Sequence, residues 1–280
     1  MEKLEKGLYI VATPIGNLDD ISFRAQKILN LVDFIICENP IHSLKLLNKL
    51  GIKKKLLSLH DYNEEILIKR IEKNQHSSAI ALISDAGSPL ISDPGYKLIQ
   101  NYIQKNYKIF TIPGPSSIIS ALQLSGLPIN NFEFFGFVPK NKASILALAE
   151  NIKNLVSTSI YFVSGNRILK FLEILDDFQI DRNIAICKEI TKKNERVFRG
   201  EVKKIIIELK KNKDNLRGEF VVIIAGKEKK LKRPIDVTIK NEIKKLLKKY
   251  SLTEVVGIVH NLTNISKNEI YKVALLLKDD

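Results

Sequence analysis

The densest chemistry in this sequence lies between Ser84 and Gly95, in the string Ser-Asp-Ala-Gly-Ser-Pro-Leu-Ile-Ser-Asp-Pro-Gly. Asp85 and Asp93 can accept hydrogen bonds or cap a helix, Gly87 lets a ligand approach the backbone closely, and Pro89 and Pro94 stiffen the path. Such a string is either a tight turn with two aspartate caps or a ligand loop. A second string, Pro-Gly-Pro-Ser-Ser over residues 113–117, sets the hydroxyls of Ser116 and Ser117 where a helix would start. They either cap that helix or bond a ligand beside its free N–H groups. Glu38 and His60 each follow an apolar run, and either could move a proton.

The elements that position these residues follow from patterning. The apolar run Ala79–Ile83 is bounded tightly enough to be a buried strand, and Pro94 suits the first turn of a helix, so the string between them reads as a strand-to-helix loop. Open α/β sheets bind ligands at such loops. Strands are also predicted at Leu8–Ala12, Phe34–Cys37, Leu56–Leu59 and Lys108–Ile112. Helices are predicted from Asp20, as cap, through Ile21, Ala25, Ile28, Leu29 and Val32, and over 63–74, 95–105 and 116–125. That alternation implies parallel βαβ units and a first domain over residues 1–115. A second α/β domain over 116–230 carries a helix at 142–154 and strands at Ser159–Val163, Asn183–Cys187 and Phe220–Ala225. Its Phe132, Phe134, Phe135 and Phe137 alternate as in a core strand. Residues 231–280 form a basic linker and helical appendage, with helices at Ile239–Tyr250, from Thr253, and at Ser266–Lys278, where Ser266 and Glu269 fit a capping box.

At 280 residues the chain can bury a full core, and 45% hydrophobic with 27% charged residues is an ordinary soluble composition. No apolar run nears the length of a membrane span and the first residues lack a signal-peptide core, so a cytoplasmic protein with no membrane partner is expected. Cys37 and Cys187 each end an apolar run and read as buried thiols; without four clustered ligands, no metal is expected. No Gly-x-Gly-x-x-Gly string occurs, which argues against a nicotinamide or flavin site. The 45 Lys+Arg against 31 Asp+Glu give a net charge of +14, favouring an anionic partner such as RNA. Enrichment in Lys, Ile and Asn, as in proteins from AT-biased genomes, raises that charge without function. Half of the excess lies between Lys227 and Tyr250, a candidate RNA-facing patch or solvated linker.

The Ser84–Gly95 string resembles the Ser-Asp-Ala-Gly-Thr-Pro-x-Ile-Ser-Asp-Pro-Gly loop with which the tetrapyrrole-methylase superfamily holds S-adenosyl-L-methionine (SAM). Ala-Thr-Pro-Ile-Gly-Asn-Leu over residues 12–18 resembles the opening motif of its rRNA-methylating branch; the cobalamin-pathway relatives differ there. The string at 113–117 is similar to that branch's Pro-Gly-Pro-Ser-Ala, with Ser117 for Ala. Gly136 to Pro139 is similar to its Gly-Phe-Leu-Pro, which implies a cleft wall as a second role for Phe137, and Lys188 to Lys192 with Glu195, Arg199 and Gly200 is similar to its Arg-Glu-Leu-Thr-Lys…Glu…Arg-Gly segment. His60, Asn63 and Glu64 match a His-Glu-His-Asn-Glu string in which Tyr62 replaces a His. Asn39, Pro40 and Ile41 depart from Glu-Asp-Thr-Arg-His-Ser after Glu38, and Val163, Gly165 and Asn166 depart from Glu-Ser-Pro-His-Arg.

The resemblance implies two α/β domains with a SAM cleft between them, plus a small C-terminal helical segment. It implies cofactor walls from Pro14, Asp85, Ala86, Gly87, Ile91, Ser116 and Ser117. The implied reaction is 2′-O-methylation of a cytidine ribose in 16S rRNA, with the small ribosomal subunit as partner and a homodimer as assembly. A ribose hydroxyl is a poor acid, so a base is expected, Glu38 or His60. Asn17, His42, Arg167, Lys188, Lys192 and Arg199 are the expected RNA-holding residues. Two alternatives stand beside this reading: methylation of a tetrapyrrole or protein side chain, and an RNA-binding chain that has lost catalysis.

Overall fold

Short apolar runs alternating with amphipathic segments build two sheets in the computed structural model of the chain, which describes residues 4–74, 78–227, 235–263 and 265–278. The first sheet contains β1 (Gly7–Val11), β2 (Phe34–Cys37), β3 (Lys55–Ser58), β4 (Ala79–Ile83) and β5 (Ile109–Ile112), in the order β3-β2-β4-β1-β5. All its pairings are parallel, Leu8 facing Ile80 on one side and Ile109 on the other. The connections are α1 (Phe23–Leu31), α2 (Pro40–Lys49), α3 (Glu64–Asn74) and α4 (Tyr96–Gln104).

A parallel sheet covered on both faces must be apolar on both, which is why β4 reads as an unbroken hydrophobic run. Ala79, Ala81 and Ile83 pack with Leu29 and Leu47 of α1 and α2, whereas Ile80 and Leu82 pack with Ile71 and Leu98 of α3 and α4.

Two helix starts differ from the sequence reading. Asp20 lies in a 3-10 turn (Leu18–Asp20), and Ser22 caps α1, its hydroxyl accepting the Ala25 N–H at 3.1 Å. Pro94 stays outside α4, because Gly95 adopts φ 125° as the flanking residue and closes the loop against Leu90 and Leu82. The Glu64 carboxylate, buried in α3, accepts the Leu98 N–H at 2.9 Å and so supplies α4 with a cap from outside.

The chain then runs through α5 (Ser117–Ser125), capped by Ser116, into a mixed sheet. Its strands are β6 (Phe132–Phe137), β7 (Thr158–Ser164), β8 (Ile184–Lys188), β9 (Arg196–Gly200) and β10 (Glu219–Ile224), in the order β6-β7-β10-β8-β9. Only β6 and β7 pair in parallel. α6 (Lys142–Asn154), α7 (Gly165–Asp177) and α8 (Val202–Lys210) cover one face, around Ile168, Phe171 and Val222. α5 covers the other through Ala121 and Leu122, against Ile160, Cys187 and Ile223.

The β6 phenylalanines correct the core-strand expectation. The register shifts between Phe134 and Phe137, with Gly136 at φ 72°, and Phe132, Phe135 and Phe137 stay partly exposed.

Residues 1–226 form one compact unit and 227–280 another. The second contains α9 (Val237–Leu247), α10 (Leu252–Thr263) and α11 (Lys267–Lys278) around Ile243, Val255, Val259, Ile270 and Ala274. Ser266 accepts the Glu269 N–H at 3.3 Å and its hydroxyl donates to the Glu269 carboxylate, half of the expected capping box, whereas Ser251 and Glu254 form the full reciprocal pair ahead of α10. Of the basic stretch Lys227–Tyr250, residues 228–234 lie outside the described residues. Among the described residues no helix is long and apolar enough to cross a membrane.

Candidate active site

Strands β4, β1 and β5 are neighbours, so the loops leaving their carboxyl ends converge. Thr13 and Gly87 exchange both backbone hydrogen bonds, Thr13 N–H to Gly87 O at 2.8 Å and Gly87 N–H to Thr13 O at 3.0 Å. The buried Thr13 hydroxyl donates to Ser84 O at 3.2 Å. Gly87 holds φ 79°, and a Cβ there would meet Ile15 Cγ2 at 3.2 Å, so glycine answers both backbone shape and room. Gly16 lies so close to the segment after β8 that a Cβ would meet Lys192 Cγ at 2.6 Å. The Asn17 N–H donates to Thr191 Oγ1 at 3.1 Å there, joining the opening loop to the second sheet.

Between these loops and the second sheet lies a cavity of about 420 Å³. Asp85, Ala86, Gly87 and Ile91 line it from one side, and Ser116, Ser117 and Ile118 from the start of α5. Phe162, Cys187, Ile190 and Val221 form an apolar wall on the second sheet, with Phe137, 59% exposed, at the rim. SAM fits this donor set. Its adenine takes an apolar slot, its ribose and amino-acid ends need carboxylate and hydroxyl partners, and its sulfonium charge favours nearby carboxylates. Of the residues expected to hold it, Pro14 is buried and its neighbour Ile15 faces the cavity instead; the other six line it.

Asp93 also lines the cavity, a residue the sequence offered only as an acceptor or cap. Burial, then the charge of Glu38, raises its carboxyl to about 6, with Asp85 adding to the rise and a hydrogen bond from Ser84 opposing it. Glu38, at the end of β2, is itself raised by burial and by Asp85 and Asp61. The charges of Glu38 and Asp85 thus act on Asp93 at one end of the cleft and make its carboxyl easier to protonate. Among the described residues no group of three acidic, cysteine or histidine side chains could hold a metal ion.

The remaining expected residues fall outside the cavity, except Lys192. His60 is exposed, 6.3 Å from the ring of Tyr62. Asn63 accepts the His60 N–H at 2.9 Å and donates to Ser58 O at 3.0 Å, so this matched string works as a loop clamp. The Asn17 side chain caps the 3-10 turn, and His42 is exposed in the first turn of α2. Arg167 donates to Ser164 Oγ at 2.8 Å and to Val138 O, Arg199 donates to Leu124 O at 3.0 Å, and Lys188 donates to Asp214 O. These three cations tie elements of the second sheet together. Lys192 lines the cavity and pairs with Glu189 at 3.0 Å and Glu219 at 2.8 Å.

Three of the altered positions, Asn39, Pro40 and Gly165, have structural explanations. Asn39 caps α2, accepting from Ile41 and His42, and Pro40 takes the first helical position, where its missing N–H is harmless. The Asn39 N–H also donates to Asp85 Oδ1 at 3.3 Å. At Gly165 a Cβ would meet Leu216 O at 2.2 Å, so α7 begins where only glycine fits.

A profile of the family described as "Tetrapyrrole (Corrin/Porphyrin) Methylases" matches residues 7–206. The chain is 36% identical over 278 residues to the ribosomal RNA small subunit methyltransferase I of Buchnera aphidicola subsp. Schizaphis graminum, covering 97% of this chain and 96% of that protein. It is 39% identical over 222 residues to the protein of the same name from Thermotoga maritima, covering 79% of this chain and 99% of that one. Among solved structures, a diphthine synthase superposes with a TM-score of 0.60 at 17% identity, covering 78% of this chain and 89% of the other, a likeness of fold. The loops that converge on the cleft lie inside the matched span, and the chain belongs to the tetrapyrrole (corrin/porphyrin) methylase family.

Proposed function

We propose that this chain is a SAM-dependent 16S rRNA methyltransferase that methylates the 2′-hydroxyl of a cytidine ribose. The observation that carries the reading is the cleft, lined by an apolar wall for a nucleoside, by hydroxyls and carboxylates, by the aromatic Phe137 and by the raised carboxyl of Asp93. Full-length similarity to proteins named ribosomal RNA small subunit methyltransferase I supports the RNA substrate.

When bound, SAM supplies the electrophilic methyl group. The chain's own residues hold and orient: loops from three adjacent strands form one side of the cleft and α5 with the second sheet the other. Orientation of a well-placed pair can account for roughly 7–11 kcal/mol of barrier lowering. Asp93 takes the ribose hydroxyl proton on its carboxylate, which requires the ionised form and so a pH above about 6. We prefer Asp93 to Glu38 and His60 because it lines the cavity and they do not. Glu38 acts on Asp93 through its charge. A cytoplasmic homodimer belongs to the same reading and rests on the resemblance alone.

The test is incubation with labelled SAM and 30S subunits from a strain lacking the modification, followed by nuclease digestion and mass spectrometry. Label on a single cytidine ribose is the expected result. Absence of label, with SAM bound and a control enzyme active, would overturn it.

A further inference from the structure

A second cavity, of about 430 Å³, opens at the same end of the second sheet. Lys188 at the end of β8, Arg196 at the start of β9, and Arg217 before β10 bring three cations to it, against the carboxylates of Glu189 and Asp214. Both carboxylates already have partners. Glu189 accepts the Glu219 N–H at 2.9 Å and the Lys192 ammonium at 3.0 Å; although burial pushes its carboxyl up, these bonds hold it below the usual range. Asp214 pairs with Arg217 at 3.4 Å.

Lys188 and Arg196 are held by neutral acceptors instead. Lys188 is only 5% exposed, yet its ammonium bonds a backbone carbonyl, Asp214 O. Arg196 donates Nη1 to the amide oxygen of the buried Asn215 at 3.1 Å, which orients a five-donor fork. Among the described residues neither forms an ion pair. The Glu189 carboxylate feels the Lys188 charge but is already bonded by Lys192, so an anion entering the cavity would add a counter-charge for the buried ammonium. Asn194 and Asn212 add amides to the lining, as a phosphate with its sugar would use.

The cavity adjoins the cleft. Glu189 lines the second cavity, Lys192 and Glu219 line the first, and the three are bonded to one another, so one ion-pair wall separates the two spaces. On the reading of the cleft as an rRNA methylation site, we propose that the Lys188–Arg196–Arg217 cavity seats a backbone phosphodiester of the substrate RNA strand next to the target ribose. The room exceeds what a lone phosphate needs and suits a phosphate with its ribose.

The test is filter binding of unmodified 16S rRNA over a series of KCl concentrations, with Arg196→Gln and Arg217→Gln. Arg217 is an exposed side chain whose loss leaves the core intact; Arg196→Lys keeps the charge if Arg196→Gln fails to fold. Each Gln variant should weaken binding by about tenfold and make the slope of log K against log salt shallower by about 1. SAM affinity should not change. Lys203→Gln removes an equal charge from α8 and should have little effect. Unchanged affinity and slope, or an equal loss with Lys203→Gln, would overturn the proposal. Inorganic phosphate at matched ionic strength should displace RNA no better than chloride; displacement at low phosphate would assign the cavity to the free ion instead. The titration reads RNA binding without turnover, so failure of the methylation reading shows separately as unlabelled 30S subunits.

Discussion

At the scale of single residues, Asp93 joins the cleft to the proton. Its carboxyl rises from an ordinary 3.8 to about 6 in the folded chain, so the native state holds that proton more tightly than the unfolded one. The contribution is therefore favourable below about pH 4 and is lost as pH climbs through 6. Asp93→Asn should stabilise the SAM-free protein at pH 7.5, by about 1 kcal/mol once solvent screening is allowed for, and leave it unchanged near pH 3. Thermal melts at both pH values check this. The same variant should lower kcat by about 10²- to 10⁴-fold with SAM affinity retained, and wild-type turnover should rise through pH 6 to a plateau. Equal turnover of variant and wild type would remove Asp93 as the base. The sequence displayed Asp93 and Asp85 in one string, but the role of Asp93 depends on its burial and on Glu38 arriving from the end of β2, which no local pattern encodes.

At the scale of elements, β2 and β4 were legible to the residue because both faces of each are buried and apolarity alone bounds them. β9 was not, since only Phe198 of its five residues is buried and two arginines interrupt the pattern. β6 misled for the opposite reason: its phenylalanines alternate, yet a bulge at Gly136 turns Phe137 toward the cleft. The helix start at Ser22 carries its own prediction. Ser22→Ala should cost about 1 kcal/mol through loss of the bond to the Ala25 N–H, and Asp20→Ala much less, by urea denaturation. Equal costs would restore Asp20 as the cap. The strand-end loops were the most legible part of the site, because they are contiguous strings. The apolar wall of Phe162, Ile190 and Val221 was hidden, because in sequence those residues read only as strand and loop.

At the scale of the whole chain, the two compact units pose separate questions. The Thermotoga maritima relative aligns over 222 residues, 99% of its length but 79% of this chain, so that relative has little room for an equivalent of α9 to α11. The cleft lies wholly within residues 1–226. Neutralising Lys244, Lys245, Lys248 and Lys249 together should leave SAM affinity unchanged, by calorimetry. If α9 touches RNA, the salt slope of rRNA binding should become shallower by several units. An unchanged slope would make those helices a packing appendage. The Thr13–Gly87 bridge has a thermodynamic meaning of its own. It knots loops far apart in sequence before any ligand arrives, and ordering a free residue costs roughly 1–2 kcal/mol. That entropy is already lost when the chain folds, so these two loops need no further ordering when a ligand binds. The Gly87 N–H, committed to Thr13, leaves its neighbours to do the donating.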